Sequence, residues 1–318
     1  MPILRINAIG CIPQLAGPDI GKSHLSDALK PHLGGAPVLI MLHGYRYSPS
    51  RPDSNPHDQI LKNGHDHPQR RLQGWPRRMG YGAGTADLGL CIAFGWEAGG
   101  SIWGAHREAG RAGLALAALI RQLALLGAGP VNIIAHSLGA RVALASLPEL
   151  APGLIGRMIL LTGAELRSTA EAALMCPAGR SAEVLNVISR ENDIFDFLYE
   201  WLLAPHRWGA RALGASLALP HCETAQIDHP DHLAGLRKLG FAIAPATSRM
   251  CHWSSYLRPG LFPLYRAFLD ADKRRSLADL RAALPTTLTP RWSRLLAPPP
   301  CPARHSRLNR RATTPRPL

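Results

Sequence analysis

The chain has 318 residues, 46% of them hydrophobic, and a formal net charge of +14. This length and apolar content allow one large core, which excludes a short disulfide scaffold and a fully disordered chain. Seven of the positive charges are arginines between Pro285 and Leu318, where no acidic residue occurs, so residues 1–284 carry +7. The charge therefore does not by itself predict a specific nucleic-acid partner.

Six cysteines are scattered along the chain, without the paired spacing of a metal site or the density of a disulfide framework. We therefore expect free thiols in a reducing compartment, and hence a cytoplasmic protein that needs no metal or other cofactor. The longest apolar stretch, Ala112 to Ala128, is interrupted by Arg121 and Gln122. That interruption predicts a core helix and not a membrane span.

The first clear strand pattern runs from Val38 to Leu42 and ends in His43-Gly44-Tyr45. In acyl-transfer sites built on parallel sheets, the loop after such a strand supplies an oxyanion donor, and glycine lets the backbone approach the substrate. We predict the N–H of Tyr45 as this donor, with Gly44 as the alternative. Polar residues rich in Gly, Pro and His follow, and we predict an insertion at about residues 46–86 that forms one wall of the pocket.

Apolar runs of strand and helix length then alternate along the chain, which predicts right-handed crossovers and a parallel sheet. The predicted strands are Leu88 to Phe94, Val131 to Ala135, Met158 to Thr162 and Val184 to Ile188, and the predicted helices are Ile102 to Leu126, Gly139 to Leu147 and Leu261 to Leu269.

The pentapeptide Ala135-His136-Ser137-Leu138-Gly139 lies between a predicted strand and a predicted helix. A sharp turn in this context presents a serine hydroxyl above the sheet, and it needs small residues two positions before and after the serine. Ala135 and Gly139 meet that need. We predict Ser137 as a nucleophile and the N–H of Leu138, at the helix N-terminus, as an oxyanion donor.

A carboxylate that orients the catalytic base is expected after a later strand. Asp193 follows the predicted strand that ends near Ile188, and we predict it as this acid. Asp196 is a neighbouring alternative. Glu165, just beyond the preceding strand, is the other alternative.

The base is expected last in the chain, and His252 lies in a loop before the predicted helix at Leu261. The order Ser137, Asp193, His252 differs from the chain order of chymotrypsin-like and subtilisin-like enzymes. His229 and His232 are alternatives. Between acid and base, residues 195–222 are rich in apolar bulk and predict a second insertion, either an acyl-binding wall or lid, or part of the core.

These segments resemble the α/β-hydrolase fold of the esterase and lipase superfamily, and in particular a poorly characterised bacterial branch of it. The resemblance rests on His-Gly-Tyr, Ala-His-Ser-Leu-Gly, Ser-Arg-Glu-Asn-Asp and His-Trp-Ser-Ser-Tyr-Leu-Arg-Pro-Gly, and it covers roughly Ala36 to Asp270. It implies a three-layer α/β/α sandwich with a mostly parallel central sheet, and acyl transfer to water through a serine ester.

Two function classes follow. The first is a serine hydrolase that cleaves a carboxylic ester, with amides or thioesters also possible, so that its partner is a small-molecule ester or acyl substrate. The second is a non-catalytic binding or scaffold protein that keeps the fold. We expect the hydrolase domain to span residues 1–284 and residues 285–318 to form a disordered Pro- and Arg-rich tail, solvated or in contact with anionic surfaces.

Overall fold

A computed structural model describes residues 3–17, 24–62, 74–82, 89–207, 209–270 and 276–296 of the chain. Its strands are β1 Ile3–Ile9, β2 Ile12–Leu15, β3 Val38–Leu42, β4 Leu90–Gly95, β5 Val131–His136, β6 Ile155–Leu161, β7 Glu183–Ile188 and β8 Cys222–Gln226. Its α-helices are α1 Leu25–Leu29, α2 Trp75–Arg78, α3 Ile102–Leu125, α4 Leu138–Ser146, α5 Arg167–Leu174, α6 Pro177–Arg180, α7 Asp193–Leu203, α8 Pro230–Lys238, α9 Ser254–Leu257, α10 Leu261–Leu269, α11 Leu277–Ala283 and α12 Ser293–Leu296.

The strands form one eight-stranded sheet in the order β2-β1-β4-β3-β5-β6-β7-β8. Every neighbouring pair is parallel except the β1-β2 pair at one edge, which is antiparallel. With helices on both faces, this is an α/β-hydrolase fold, as the sequence predicted. The predicted strands from β3 to β7 are all present. The edge hairpin β1-β2 and the last strand β8 were not predicted.

The core lies on both faces of the sheet, and residues of β3 show how the strand divides between them. Val38, Ile40 and Leu42 pack on the side of α3 and α4. Leu39 and Met41 pack on the opposite side, with α10 and α11. Because successive strand residues point to opposite faces, a continuous apolar run is buried on both faces of the sheet, as is typical of parallel sheets. No helix in the described parts of the chain is both long and apolar enough to span a membrane.

The predicted insertion at residues 46–86 is described for residues 46–62 and 74–82. It contains α2, in which Trp75 is fully buried. The Trp75 ring makes edge contacts with His136, next to the predicted nucleophile, and with Tyr256. This part of the insertion therefore supports the site from within the core. The second predicted insertion begins inside α7, which continues directly from the turn after β7.

The predicted domain boundary at residue 285 is too early. Residues 285–296 lie on the body of the protein, and the contacts of three of them define the attachment. Arg291 Nη1 lies 2.8 Å from Glu200 Oε2, and the N–H of Trp292 donates to Asp193 Oδ2 at 2.7 Å. Arg294 Nη2 donates to the carbonyl of Ala246 at 2.6 Å. Arginine content alone indicated a solvated tail, but Arg291 has a buried acceptor, Glu200, and Arg294 binds backbone carbonyls of the body. Residues 297–318 lie outside the described residues.

A truncation series tests this attachment. A chain that ends at Pro290 should unfold at a lower temperature than one that ends at Leu296, because Glu200 and Asp193 are buried and lose hydrogen-bonding partners. An orphaned buried group costs about 1 to 3 kcal/mol. Thermal unfolding of the two chains, followed by circular dichroism, measures the difference. Equal midpoints would contradict the attachment.

Candidate active site

Ser137 occupies the tight turn between β5 and α4. Its backbone has φ 53° and ψ −125°, a conformation that residues other than glycine rarely adopt. Two hydrogen bonds hold the turn: the N–H of Ser137 donates to the carbonyl of Leu161 at 3.0 Å, and its own carbonyl accepts from Ala164 at 2.9 Å. Strain that the surrounding structure enforces is typical of functional sites. The geometry is that of a nucleophile elbow.

Close packing explains the small residues of the elbow. A Cβ at Gly139 would lie 2.6 Å from the carbonyl oxygen of His43 and 2.8 Å from that of Leu42, so the helix can approach the end of β3 only with glycine here. Ala135 is fully buried and its methyl group is accommodated. A Cβ at Gly44 would lie 2.8 Å from Ser137 Cβ. The His-Gly loop and the serine therefore touch.

His43 shapes the loop that contains Gly44 and Tyr45. Its Nδ1 lies 2.9 Å from the carbonyl oxygen of Gly44, and its Nε2 accepts a hydrogen bond from the backbone N–H of Trp96 at 3.0 Å. Burial lowers the pKa of His43 to about 3, so the ring is neutral and Nδ1 carries the proton that it donates. His43 is therefore a structural residue, and its stacked partner is the Trp96 ring.

Three backbone N–H groups lie on the residue after Ser137 and on the loop that touches it. Among the described residues, no hydrogen bond occupies the backbone N–H of Leu138, Gly44 or Tyr45. Leu138 is the first residue of α4, where the free N–H groups and the helix dipole favour negative charge. The Tyr45 hydroxyl donates to the carbonyl of Gly100 at 2.5 Å, which ties this loop to the start of α3.

A substitution at Gly44 tests the contact between loop and serine. We expect Gly44→Ala to lower kcat on an ester substrate by about 10² to 10³, because the new methyl group would displace backbone donors from the serine. Gly34→Ala is the matched control, since a Cβ there has nothing within 4 Å. Initial rates of both variants measure the effect. Equal rates for the two variants would show that the loop has no part in the chemistry.

His252 lies against the serine. Its Nε2 is 2.8 Å from Ser137 Oγ, and its Nδ1 is 2.6 Å from Oδ1 of Asn192. If Nδ1 carries the proton and donates it to the amide oxygen, Nε2 is free to accept the serine proton. The three side chains thus form a continuous hydrogen-bonded chain with the polarity that general-base catalysis requires.

The His252 ring is neutral at ordinary pH. Burial, followed by the neighbouring His136, holds the pKa of His252 well below its usual value of 6.5. The uncharged amide of Asn192 does not counteract this shift, as a carboxylate would. Phe195 covers the ring on another side, with ring centroids 4.8 Å apart.

The structure corrects the predicted acid. Asp193 does not reach His252: its Oδ1 lies 3.1 Å from Arg190 Nη1, and its Oδ2 accepts from Trp292. Asn192, one residue earlier, holds the position beside Nδ1. Because Asn192 is the N-cap of α7 and Asp193 its first residue, the two side chains leave the backbone in different directions. Burial raises the pKa of Asp193, and Arg190 opposes this.

Neither alternative acid contacts the histidine. Glu165 is ion-paired with Arg141 and accepts a hydrogen bond from the N–H of Leu166 at 2.8 Å, so it is fully used elsewhere. Asp196 contacts Asn192 and not His252: its Oδ1 accepts a hydrogen bond from Nδ2 of Asn192 at 2.9 Å.

The alternative histidines also have other partners. His229 is the N-cap of α8, and its ring accepts from the N–H of Asp231 at 3.1 Å. The ring of His232 accepts from the N–H of Gln226 at 3.2 Å. Both therefore stabilise the end of β8 and the start of α8.

An ion pair that the sequence did not reveal joins two of the motifs. Glu191, in the turn before α7, is paired with Arg258, which follows the histidine loop, and both side chains are buried. The carbonyl of Glu191 accepts from the N–H of Cys251 at 2.9 Å. The carbonyl of His252 accepts a hydrogen bond from the Thr162 hydroxyl at 3.3 Å. These contacts fix the histidine loop against the turn that contains Asn192.

An apolar face of α7 is open to solvent. Phe197, Leu198 and Trp201 are 47%, 44% and 63% exposed. The indole of Trp103, which is half exposed, donates to the carbonyl of Leu202 at 2.9 Å and joins this face to α3. No group of three or more His, Cys, Asp or Glu side chains in the described residues is arranged to bind a metal ion.

Comparisons with known proteins give distant matches only. No family model matches the sequence, and no curated protein matches it. Among solved structures, the mature form of Bacillus licheniformis lipase BlEst2 is similar, with 12% identity and a TM-score of 0.39, over 74% of this chain and 93% of that chain. Its propeptide form has 12% identity and a TM-score of 0.37, over 74% of this chain and 50% of that chain. We assign the α/β-hydrolase fold from the strand order and the elbow.

Proposed function

We propose that the protein is a serine hydrolase that cleaves carboxylic esters, with Ser137 as nucleophile, His252 as general base and Asn192 as the residue that orients His252. The observation that carries this proposal is the hydrogen-bonded chain from Ser137 Oγ through His252 to Asn192, on a serine with left-handed backbone geometry. A helix cap, the ordinary role of a serine before a helix, needs neither feature.

The proposed reaction has two halves. Ser137 Oγ attacks the ester carbonyl carbon while its proton passes to Nε2 of His252, and the backbone donors of Leu138 and Tyr45, or Gly44, stabilise the oxyanion. The tetrahedral intermediate then expels the alcohol, which takes the proton from His252, and an acyl-serine remains. Water attacks this ester with the same proton transfers, releasing the acid and free Ser137.

Apolar side chains of α7 support an ester with an apolar portion. Phe195 contacts the His252 ring, and the exposed face of Phe197, Leu198 and Trp201 continues along the same helix. We propose that α7 binds the acyl chain or the alcohol of the substrate. Amide and thioester substrates share the chemistry and are tested beside the ester.

Hydrolysis of p-nitrophenyl acetate, butyrate and octanoate tests the proposal, with p-nitrophenyl thiobutyrate and butyryl p-nitroanilide in parallel. We expect turnover of at least one ester above the rate with heat-unfolded protein, and a burst of p-nitrophenol if deacylation is slow. No turnover of any ester by folded protein, together with no burst, would contradict the proposal.

The acid limb of the pH profile tests the role of His252. Catalysis requires the neutral ring, and the pKa of His252 lies below 6.5 in the free protein, so activity should persist as pH falls through that value. We expect kcat/KM to reach half its plateau only below pH 6.5. A midpoint at or above 6.5 would show that a carboxylate, and not the amide of Asn192, faces the ring.

A further inference from the structure

We propose that Asp196 is a positioning residue that acts through Asn192: its carboxylate fixes the orientation of the Asn192 amide and thereby the tautomer of His252. This rests on the proposed function for its catalytic consequence. The hydrogen bonds run from Ser137 Oγ to His252, from His252 to Asn192 Oδ1, and from Asn192 Nδ2 to Asp196 Oδ1 at 2.9 Å.

The relay follows from the two ends of an amide. Asparagine has an acceptor oxygen and a donor nitrogen, and only one orientation of Asn192 satisfies both neighbours when Asp196 is ionised, because a carboxylate only accepts hydrogen bonds. When Nδ2 donates to the Asp196 carboxylate, Oδ1 faces His252 and must receive the Nδ1 proton. The flipped amide would direct Nδ2 at the histidine, which would move the ring proton to Nε2. Ser137 would then face a donor and could not be deprotonated.

The helix α7 and the space left by Gly214 determine the position of the Asp196 side chain. It lies on α7 four residues after Asn192, which places both on the same face of the helix. A Cβ on Gly214 would overlap Asp196 Oδ2, so the missing side chain of Gly214 makes room for the carboxylate. Asp196 is 5% exposed.

Charges of both signs surround the carboxylate. It borders a cavity of about 220 Å³ whose charged lining consists of Arg190, Arg211 and Arg291 with Asp193 and Glu200. Arg291 is already bound to Glu200, and Arg190 to Asp193. No ion pair to Asp196 occurs among the described residues, so its one hydrogen-bonded donor there is the Asn192 amide. Burial raises the pKa of Asp196 to about 8, and Arg291 and Arg190 oppose this rise, so Asp196 is an acceptor-only carboxylate above pH 8. The relay is therefore tested at pH 9.

A double-mutant cycle separates this role from a general effect on the fold. We expect Asp196→Ala to lower kcat/KM by about 10- to 100-fold in the wild-type background. This is the range for loss of a residue that hydrogen-bonds to a metal-binding side chain and holds it in place. In the Asn192→Ala background the same change should cost less than about twofold, because its route to His252 is already cut. Equal losses in both backgrounds, or no loss in the wild type, would overturn the proposal.

The tautomer of His252 provides a readout that does not depend on activity. Nitrogen-15 NMR of histidine-labelled protein, with His252 assigned from the His252→Gln variant, should show the proton on Nδ1 in the wild type. In Asp196→Ala a fraction should carry it on Nε2. An unchanged tautomer would overturn the proposal. If the wild type hydrolyses no ester but the tautomer shifts, the proposed function fails and the relay stands.

A second variant covers the case in which Asp196→Ala does not fold. Gly214→Ala keeps the carboxylate but places a methyl group where Oδ2 lies, which should draw Asp196 away from Asn192. We expect the same shift of tautomer and a loss of kcat/KM that again disappears when Asn192 is Ala. A folded Gly214→Ala protein with wild-type kcat/KM and wild-type tautomer would contradict the relay.

Discussion

Ser137→Ala should lower kcat on an ester that the wild type hydrolyses by about 10⁴ or more, while the thermal unfolding midpoint changes little. The attacking oxygen is lost, and the residual rate comes from substrate binding and the oxyanion donors alone. The substitution should have little effect on stability, because among the described residues Ser137 Oγ forms a hydrogen bond only with His252. Steady-state kinetics with calorimetry on the same preparation provide both numbers.

Ser276→Ala is the matched control, since Ser276 caps α11 through a capping box. Loss of that cap should cost about 0.5 to 2 kcal/mol of stability and leave kcat unchanged. The two serines should therefore separate cleanly, one affecting rate and the other stability. Full activity of folded Ser137→Ala protein would show that Ser137 is not the nucleophile.

Asn192→Ala should lower kcat by about 10² to 10⁴ with a small change in KM. Without the amide oxygen at 2.6 Å, nothing holds the proton on Nδ1 of His252, and the contribution of a positioned general base is lost. Asp193→Asn, one residue away, should cost less than about tenfold. Asp193 acts on the ring only through its field, which its ion pair with Arg190 largely offsets, and a tenfold loss corresponds to about 1.4 kcal/mol.

The comparison between these two variants decides which residue is the third member of the site. Kinetics at several pH values should be measured for both, with circular dichroism to establish that they are folded. If Asp193→Asn lost more activity than Asn192→Ala, the carboxylate would have to move to His252 in the working enzyme.

The sheet and the elbow were predictable from the sequence because both depend on local pattern. Buried parallel strands are continuous apolar runs, as from Val38 to Leu42, and the elbow needs small residues at fixed positions around Ser137. His252 was found from chain order. The edge hairpin β1-β2 was missed because polar and apolar residues alternate in β1, as in Leu4-Arg5-Ile6-Asn7-Ala8, unlike the continuous apolar runs of the buried strands.

The third member of the site was not predictable in the same way. At the start of a helix, neighbouring side chains are about 100° apart, so a shift of one residue exchanges the group that faces His252. Arg190, three residues earlier, and the N–H of Trp292, almost a hundred residues later, hold the Asp193 carboxylate away from His252. Helix-start preferences would not have identified Asn192 either, because it occupies the N-cap position of α7 but its side chain makes no capping hydrogen bond.

The C-terminal segment was misjudged for a related reason. Its arginines and prolines indicate solvation when they are considered alone. The attachment of Arg291 and Trp292 depends on acceptors from α7, which lie more than ninety residues earlier in the chain. Composition contains no information about such long-range pairs.

Covalent labelling of the native protein by a fluorophosphonate, followed by intact mass and peptide mapping, tests the central claim most directly. The reagent reacts with a serine only when a base and an oxyanion site activate it. We predict one adduct per chain, on the peptide that contains Ser137, and none in Ser137→Ala or in heat-unfolded protein. A folded protein that remains unlabelled, or that is labelled at another serine, would contradict the account.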